Sequence, residues 1–489
     1  MAWLGLGLLA MVALGIVVTG LPAFLVLLTA ASAGAALAVL SGTVPLALLS
    51  ALPGRVINLL ETDLLQALPL YVLMGVLLDR LPIADALFRT GLRILPRGAA
   101  APVVCGLGLG ALLGPMNGSV GASVLSLARA IDPRLRASGV SVPARTATIA
   151  VASTLGVVIP PSLVLILLGD AMLSAHTIAV TATGRGERVI NTQDVFHGAL
   201  VPAGLFLAAA LIVAWLTTRR VAEDSAPAST RSEAETVTSR QALLAGVSIL
   251  ALLLLLGGVA TGYFYAVEGA ATGAFVLLVA GAITGRLPAP ALGAALSEVM
   301  AITGALFALL MAATTLTLVL RLLGTDHLVG DWVVGLPGND DTVVVIVLAI
   351  IALSAFVLDA FEIIFVVVPI VVPPLLIRVA DARWVAVLVL LTLQMSFLLP
   401  PFGYALMMVR STLKATVPIG ALVRALAPFL LAQWAVLAVV LAVPQLVHVG
   451  ENPADRVRAP AVPLSPQDLD RRLREMVPPP EASDPALRP

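Results

Sequence analysis

The stretch Val357-Leu358-Asp359-Ala360-Phe361-Glu362 sets two carboxylates three residues apart in an apolar run. That spacing puts both near one helix face. They can bind a cation, carry a proton or hold a basic partner; equally, Asp359 can cap a helix that starts after it. Gly114-Pro115-Met116-Asn117-Gly118-Ser119 is a second cluster. Its glycines permit tight reversal, Asn117 and Ser119 bring side-chain oxygens, and the reversal frees backbone groups. Such a turn suits sodium, a hard cation, and the helix start after it favours an anion. It reads as well as a turn lined by small residues for close packing. Two Pro-Pro breaks complete the set: Thr154 to Ser162 around Pro160-Pro161, and Gln394 to Tyr404 around Pro400-Pro401. Proline pairs remove amide donors and expose carbonyls one turn earlier. A cation can satisfy those carbonyls, with the hydroxyls of Thr154 and Ser162 beside it; a water-filled kink is the other reading. Gln394 and Ser396 can ligate a cation or touch a substrate. Arg410 can reach a carboxylate or anchor a cytoplasmic end, and Asp79 and Asp170 are expected at helix ends in structural roles.

The elements that carry these residues must lie in a membrane. Of 489 residues, 60% are hydrophobic and 11% charged. Mean hydropathy is +1.07. A soluble domain carries about a quarter charged residues, so a cytosolic enzyme is excluded. The apolar runs are continuous, which excludes a β-barrel. Net charge is zero, which gives no footing for nucleic acid; one cysteine, Cys105, allows no internal disulfide, and four scattered histidines offer no metal cage. No cofactor is expected. The first apolar run lacks a cationic start and reads as a retained span.

Runs of about 20 apolar residues cross a bilayer. Those at 2–20, 22–42, 64–81, 197–218, 242–262, 265–285, 297–323 and 424–447 qualify. Four others are interrupted: 100–128 at the Gly-Ser cluster, 146–175 at Pro160-Pro161, 342–377 near Asp359 and again at Pro369, Pro373 and Pro374, and 384–409 at Pro400-Pro401. Non-helical backbone at membrane depth must be buried in protein or line a cavity, and matched interruptions in two halves point to a transporter site. Position 119 leads 359 by 240 residues, as 160 leads 400, and Thr154-Leu155 and Thr392-Leu393 precede the two Pro-Pro breaks. The expected organisation is a first repeat at 1–218, a polar linker at 219–240, a second repeat at 241–448 and a Pro-rich disordered tail at 449–489. Segments 83–96 and 287–296 are expected as amphipathic interfacial arms, and 182–194 as an extended outer loop.

Charge indicates that the repeats are inverted. Arg89, Arg93 and Arg97 precede the first hairpin, and Arg129, Arg134, Arg136 and Arg145 follow it, against Asp132. The positive-inside rule brings that hairpin in from the cytoplasm. Asp326, Asp331, Asp340 and Asp341 precede the second, with Arg378 and Arg383 against Asp381 beyond it. The fold expected is an all-α polytopic membrane protein of two inverted repeats, each with a re-entrant hairpin and a broken helix.

GPMNGSVGASV, TLGVVIPPSLVLILLGD, LDAFEIIFVVVPIVVPP and LQMSFLLPPFGYAL together resemble the large membrane subunit of tripartite ATP-independent periplasmic (TRAP) transporters, the DctM-like permeases, over residues 1–448. DAFEI and LQMSFLLPPFGYAL resemble the branch for 2-oxo acids, lactate or chloroaromatic acids. The resemblance implies a sodium-coupled, elevator-type importer of an organic acid in the bacterial inner membrane. Its partners would be a four-helix small membrane subunit and a periplasmic binding protein. Carried onto this sequence, the sodium ligands would come from Asn117, Gly118, Ser119, Thr154, Gly156 and Pro161, and from Asp359, Gln394, Ser396 and Pro400. Asn117, Ser162, Glu362, Gln394 and Arg410 would face the substrate. Pro115-Met116-Asn117 departs from the small residues usual at this tip.

Two rival classes are weighed. One is a stand-alone sodium/organic-anion symporter without a binding protein. The other is an intramembrane hydrolase using Asp359 with Asp170, disfavoured because the chain has neither Gly-x-Gly-Asp nor a His/Glu metal motif. An ATP-driven pump is disfavoured by the lack of a phosphate-binding Gly-rich loop with lysine.

Overall fold

The computed structural model describes residues 2–42, 50–61, 63–95, 98, 100–117, 119–185, 188–224, 239–400, 403–414 and 417–450. Gly118, Pro401 and the tail from 451 therefore lie outside the described residues. Among those described, nine helices are long and apolar enough to span a bilayer. Their ends follow the breakers. Gly20, with φ +61°, closes the helix Ala2–Thr19, and Pro22 opens Ala23–Leu40.

Burial separates the helices into a centre and flanks. The window in Ala2–Thr19 is 17% buried, against 67% in Leu163–Thr183 and 78% in Ala360–Arg378. A helix apolar on all sides is stable when it is enclosed. Ala382–Ser396, buried at every position, is such a helix. It packs on Asp340–Ser354, Leu163–Thr183, Thr192–Asp224 and Ile419–Ala442. Val142–Val158 is likewise enclosed, by Ala101–Leu113, Val120–Ala137, Tyr404–Leu413 and Ile419–Ala442. Outside this bundle, Asp63–Arg80 packs on Ala266–Ile283 and Ala289–Leu322, and Ala23–Leu40 packs on Ala289–Leu322.

The interrupted stretches are broken where expected. The first hairpin is Ala101–Leu113, a turn and Val120–Ala137; the second is Asp340–Ser354, a turn and a helix from Ala360. The first broken helix is Val142–Val158 and Leu163–Thr183; the second is Ala382–Ser396 and Tyr404–Leu413. Corresponding starts (101 and 340, 120 and 360, 142 and 382, 163 and 404) differ by 239, 240, 240 and 241 residues. Each half's second broken segment packs on the other half's hairpin: Leu163–Thr183 on Val368–Arg378, and Tyr404–Leu413 on Val120–Ala137.

Several boundaries differ from expectation. Pro369, Pro373 and Pro374 do not break the second hairpin again. A π-helical turn at Ile363–Val367 runs into the helix Val368–Arg378. Pro369 has no amide to give the Phe365 carbonyl, and the Thr317 hydroxyl donates to that oxygen instead at 3.1 Å. Segment 287–296 is not a separate arm. It opens the 34-residue helix Ala289–Leu322, which has Pro290 in its first turn, where proline costs no hydrogen bond. Glu298 in that helix pairs with Arg80 at 2.8 Å. In chain order, the second-half counterpart of Ile83–Ile94 is Thr325–Val334, starting 242 residues later. Helix Thr192–Asp224 continues into the expected linker, because residues 219–224 hold no Gly or Pro.

The loop expected at 182–194 is shorter, from Gly184, in left-handed conformation, to Asn191. It is bound down at its described ends. Arg185 donates to the carbonyls of Leu376 and Ile377, and the Ile190 amide donates to His176 Nδ1 at 3.1 Å. Asp194 receives Arg188 at 2.6 Å and Arg383 at 2.9 Å. Asp170 lies inside Leu163–Thr183, not at a helix end, whereas Asp79 is in the last turn of its helix.

Candidate functional site

Both hairpin tips and both helix breaks converge on two cavities. The first tip leaves Ala101–Leu113 through the 3-10 turn Gly114–Met116. Pro115 fits such a turn because its φ is already fixed. Gly114 and Gly156 meet backbone to backbone: a Cβ on Gly114 would stand 2.8 Å from the Gly156 Cα. Gly156 thus sets the approach of tip to broken helix. On its other side the tip touches a flanking helix, where a Cβ on Gly75 would lie 2.9 Å from the Asn117 backbone. Ser119, in extended conformation, caps Val120–Ala137 by accepting the Ala122 amide at 3.1 Å.

At the first break, Ser162 caps the next helix by accepting the Leu165 amide at 3.1 Å, and its hydroxyl donates to the Val157 carbonyl at 2.8 Å. Pro161 removes the amide that would otherwise reach that carbonyl. The peptide between Pro160 and Pro161 is cis. Between tip and break lies a cavity of about 10 Å³, room for about one water-sized sphere. Ser119, Ser123, Ser153, Gly156 and Ser162 are among its lining residues. Three of these were picked from sequence; Ser123 and Ser153 were not. Ser123 follows Ser119 by four residues, one helical turn, which is the signal that could have found it. Thr154 and Pro161 are buried beside the cavity without lining it, and the Thr154 hydroxyl is spent on the Val151 carbonyl at 3.0 Å. Asn117 is buried, with its amide nitrogen unpartnered.

The second tip resolves the two readings of Asp359 and Glu362 in part. Asp359 Oδ1 accepts the Ala360 amide at 2.8 Å, and Glu362 Oε2 accepts the Asp359 amide at 2.9 Å. This is a reciprocal capping box, so both residues do hold the helix start. Asp359 also faces open space. A cavity of about 220 Å³ is lined by Ser119 and Val120 from the first tip and by Asp359 and Phe361 from the second. Val164, Phe397 and Tyr404 come from the broken helices, and Ala23, Phe24, Ala305, Leu306 and Leu309 from two flanking helices. Among the described residues, Asp359 is the one charged side chain in this lining.

The other expected ligands stand apart from that space. Glu362 is buried under the second tip, and Gln394 is fully buried with neither amide atom partnered. Ser396 donates to the Leu393 carbonyl. Pro400 is in the turn after Ala382–Ser396, and Arg410 is in the last turn of Tyr404–Leu413, half-buried and outside the cavity lining. Sequence reading missed Tyr404 as a lining residue, as well as the whole wall from the flanking helices. Among the described residues, no group of three His, Cys, Asp or Glu side chains is placed to hold a metal.

Comparison with known proteins gives the family and the fold. Residues 8–446 match the family model of the tripartite ATP-independent periplasmic transporter, DctM component. The sialic acid TRAP transporter permease protein SiaT of Haemophilus influenzae is 22% identical over 394 residues, 80% of this chain. The match spans 60% of that relative's length. In fold, the chain is similar to the YdaH transporter of Alcanivorax borkumensis, with TM-score 0.58 and 16% identity over 81% of this chain and 87% of that one. DctM proteins are multi-pass components of secondary transporters in bacterial inner membranes, not enzymes. With nearly its whole described length inside the family model, the chain belongs to the DctM family of TRAP transporters.

Proposed function

We propose that this chain imports an organic acid together with sodium, as the large membrane subunit beside a small four-helix subunit and a periplasmic binding protein. One observation carries the coupling. Among the described residues, the lining of the cavity between the tips contains Asp359 and no Lys, Arg or His. A carboxylate entering it adds a second negative charge in a low-dielectric space. A mobile cation must enter with it. The small serine-lined cavity next to the first tip offers hydroxyl oxygens of the kind sodium takes, and Ser119 lines both cavities. Asn117, Thr154, Gly156 and Pro161 support that site from close by; Asp359, Gln394, Ser396 and Pro400 are the proposed counterparts in the second half.

The paired order of hairpins and broken helices supports two inverted repeats, 1–218 and 241–448. The flanking helices then serve as scaffold, and the central bundle moves as an elevator. The sialic acid named for the Haemophilus relative is an organic acid, which supports the substrate class. It gives no support to the 2-oxo acid, lactate or chloroaromatic branch.

The test is uptake into proteoliposomes holding this chain and its small subunit, under sodium or potassium gradients, with and without the binding protein. Uptake that requires both sodium and the binding protein is expected. Uptake under potassium would overturn sodium coupling, and uptake without the binding protein would favour a stand-alone symporter.

A further inference from the structure

The large cavity has two chemically different faces. Its polar groups, Ser119, Asp359 and Tyr404, all come from the hairpin tips and the second broken helix. The flanking helices contribute Ala23 and Phe24 from Ala23–Leu40, with Ala305, Leu306 and Leu309 from Ala289–Leu322. The positions 305, 306 and 309 fall on one stripe of a helix, so the described side chains on this side of the space are all carbon. Phe361 and Phe397 extend the apolar surface around its edge. At about 220 Å³ the space is smaller than the pockets of drug-sized ligands, which start near 300 Å³.

We infer that the transported acid is a small monocarboxylate with an apolar body, and that Phe24, Leu306 and Leu309 determine this specificity. The inference rests on the cavity being the substrate site of the proposed importer. The carboxylate lies at the tips, where Ser119 and the accompanying cation meet it. The body lies on the carbon wall. A polyhydroxylated sugar acid would leave its hydroxyls facing that wall without hydrogen-bond partners, and a dicarboxylate would bring a further charge there; both are unfavourable in a desolvated site. Because the wall belongs to the flanking helices and the polar face to the central bundle, specificity and ion coupling reside on different elements. They should separate under mutation.

Equilibrium binding to the detergent-purified full chain tests this, with phenylacetate, sialic acid and succinate as probes in sodium and in potassium. Phenylacetate should bind at least about ten-fold more tightly than either other acid. Phe24→Ala and Leu306→Ser should each weaken phenylacetate by about ten-fold and narrow that gap, with the half-saturating sodium concentration unchanged. Leu306→Met, which keeps the carbon wall and its volume, should retain wild-type preference and controls for misfolding. Equal or tighter binding of sialic acid or succinate overturns the inference. So does an absence of phenylacetate binding in sodium, or an unchanged preference in folded wall variants. Phenylacetate binding of the expected rank that is indifferent to sodium supports the carbon wall while removing sodium coupling from the proposed function.

Discussion

A hydrogen atom in place of a side chain sets how close the first hairpin tip comes to its broken helix. The Gly114 and Gly156 backbones are in contact, and a methyl group on Gly156 would overlap the Gly114 backbone. Gly156→Ala should therefore force the tip outward. Overpacking of this kind costs about 1–3 kcal/mol, read as a lowered thermal midpoint in detergent, and the serine-lined cavity should lose sodium affinity with it. A midpoint and affinity equal to wild type would mean that the tip has room to give. At the hydroxyls, Ser153→Ala removes one cavity-lining oxygen. If it is a ligand, losing one such contact, worth about 1.4 kcal/mol, should raise the half-saturating sodium concentration about ten-fold. Sequence showed that these neighbourhoods matter, because Gly-Pro and Pro-Pro interrupt apolar runs that have no other reason to stop. It did not show Ser153 or Ser123 as partners of Ser119 and Ser162. That grouping depends on the glycine contact between two helices, which has no one-chain periodicity. Thr154 was the more conspicuous oxygen, yet it does not line the cavity; its hydroxyl donates to Val151 as that of Ser153 does to Ile149, and only Ser153 reaches the space.

Among the elements, the connection between Leu163–Thr183 and Thr192–Asp224 has a mechanical role that its composition concealed. Asp194, at 10% side-chain exposure, holds Arg383, at 8%, so a buried ion pair joins this helix to the start of Ala382–Ser396. Arg185 holds the last carbonyls of the second hairpin's helix. The polar run therefore binds the root of that hairpin and the second broken helix to the first half. Removing one partner of a buried pair costs about 3 kcal/mol or more. Asp194→Ala should lower the thermal midpoint accordingly, while the exposed-side Arg188→Ala should lower it far less. Equal effects of the two would deny the pair its structural weight. The sequence suggested an extended addition here because Gly, Arg and Asn favour loops; their long-range partners, about 190 residues away, are invisible to local patterning. The same limit explains the second arm. Hydropathy located a weakly apolar segment at 287–296, but the Ala- and Leu-rich run after Pro290 stays helical through Gly293, and Glu298 beyond it pairs with Arg80.

In the whole molecule, a charged, narrow cavity lies at the boundary between a central bundle and flanking helices. Gly75 marks a direct contact of the two, against Asn117. Gly75→Ala would press a methyl group into the Asn117 backbone and should slow uptake if the bundle must slide past this helix; wild-type uptake by the folded variant would contradict that. Membrane class, helix breaks and the family were legible from composition, the matched interruptions and the quoted segments. The cavity's carbon wall was not, since Phe24, Leu306 and Leu309 look like ordinary lipid-span residues until the fold brings them into one cavity with Asp359. The central claim is that Asp359 and the incoming carboxylate together require sodium. Its most direct test is sodium-gradient-driven uptake by wild type and Asp359→Asn in matched proteoliposomes, with folding monitored by thermal midpoint. The account predicts that the variant stays folded and loses much of the sodium dependence of its uptake. A folded Asp359→Asn protein whose uptake follows sodium as wild type does would contradict it.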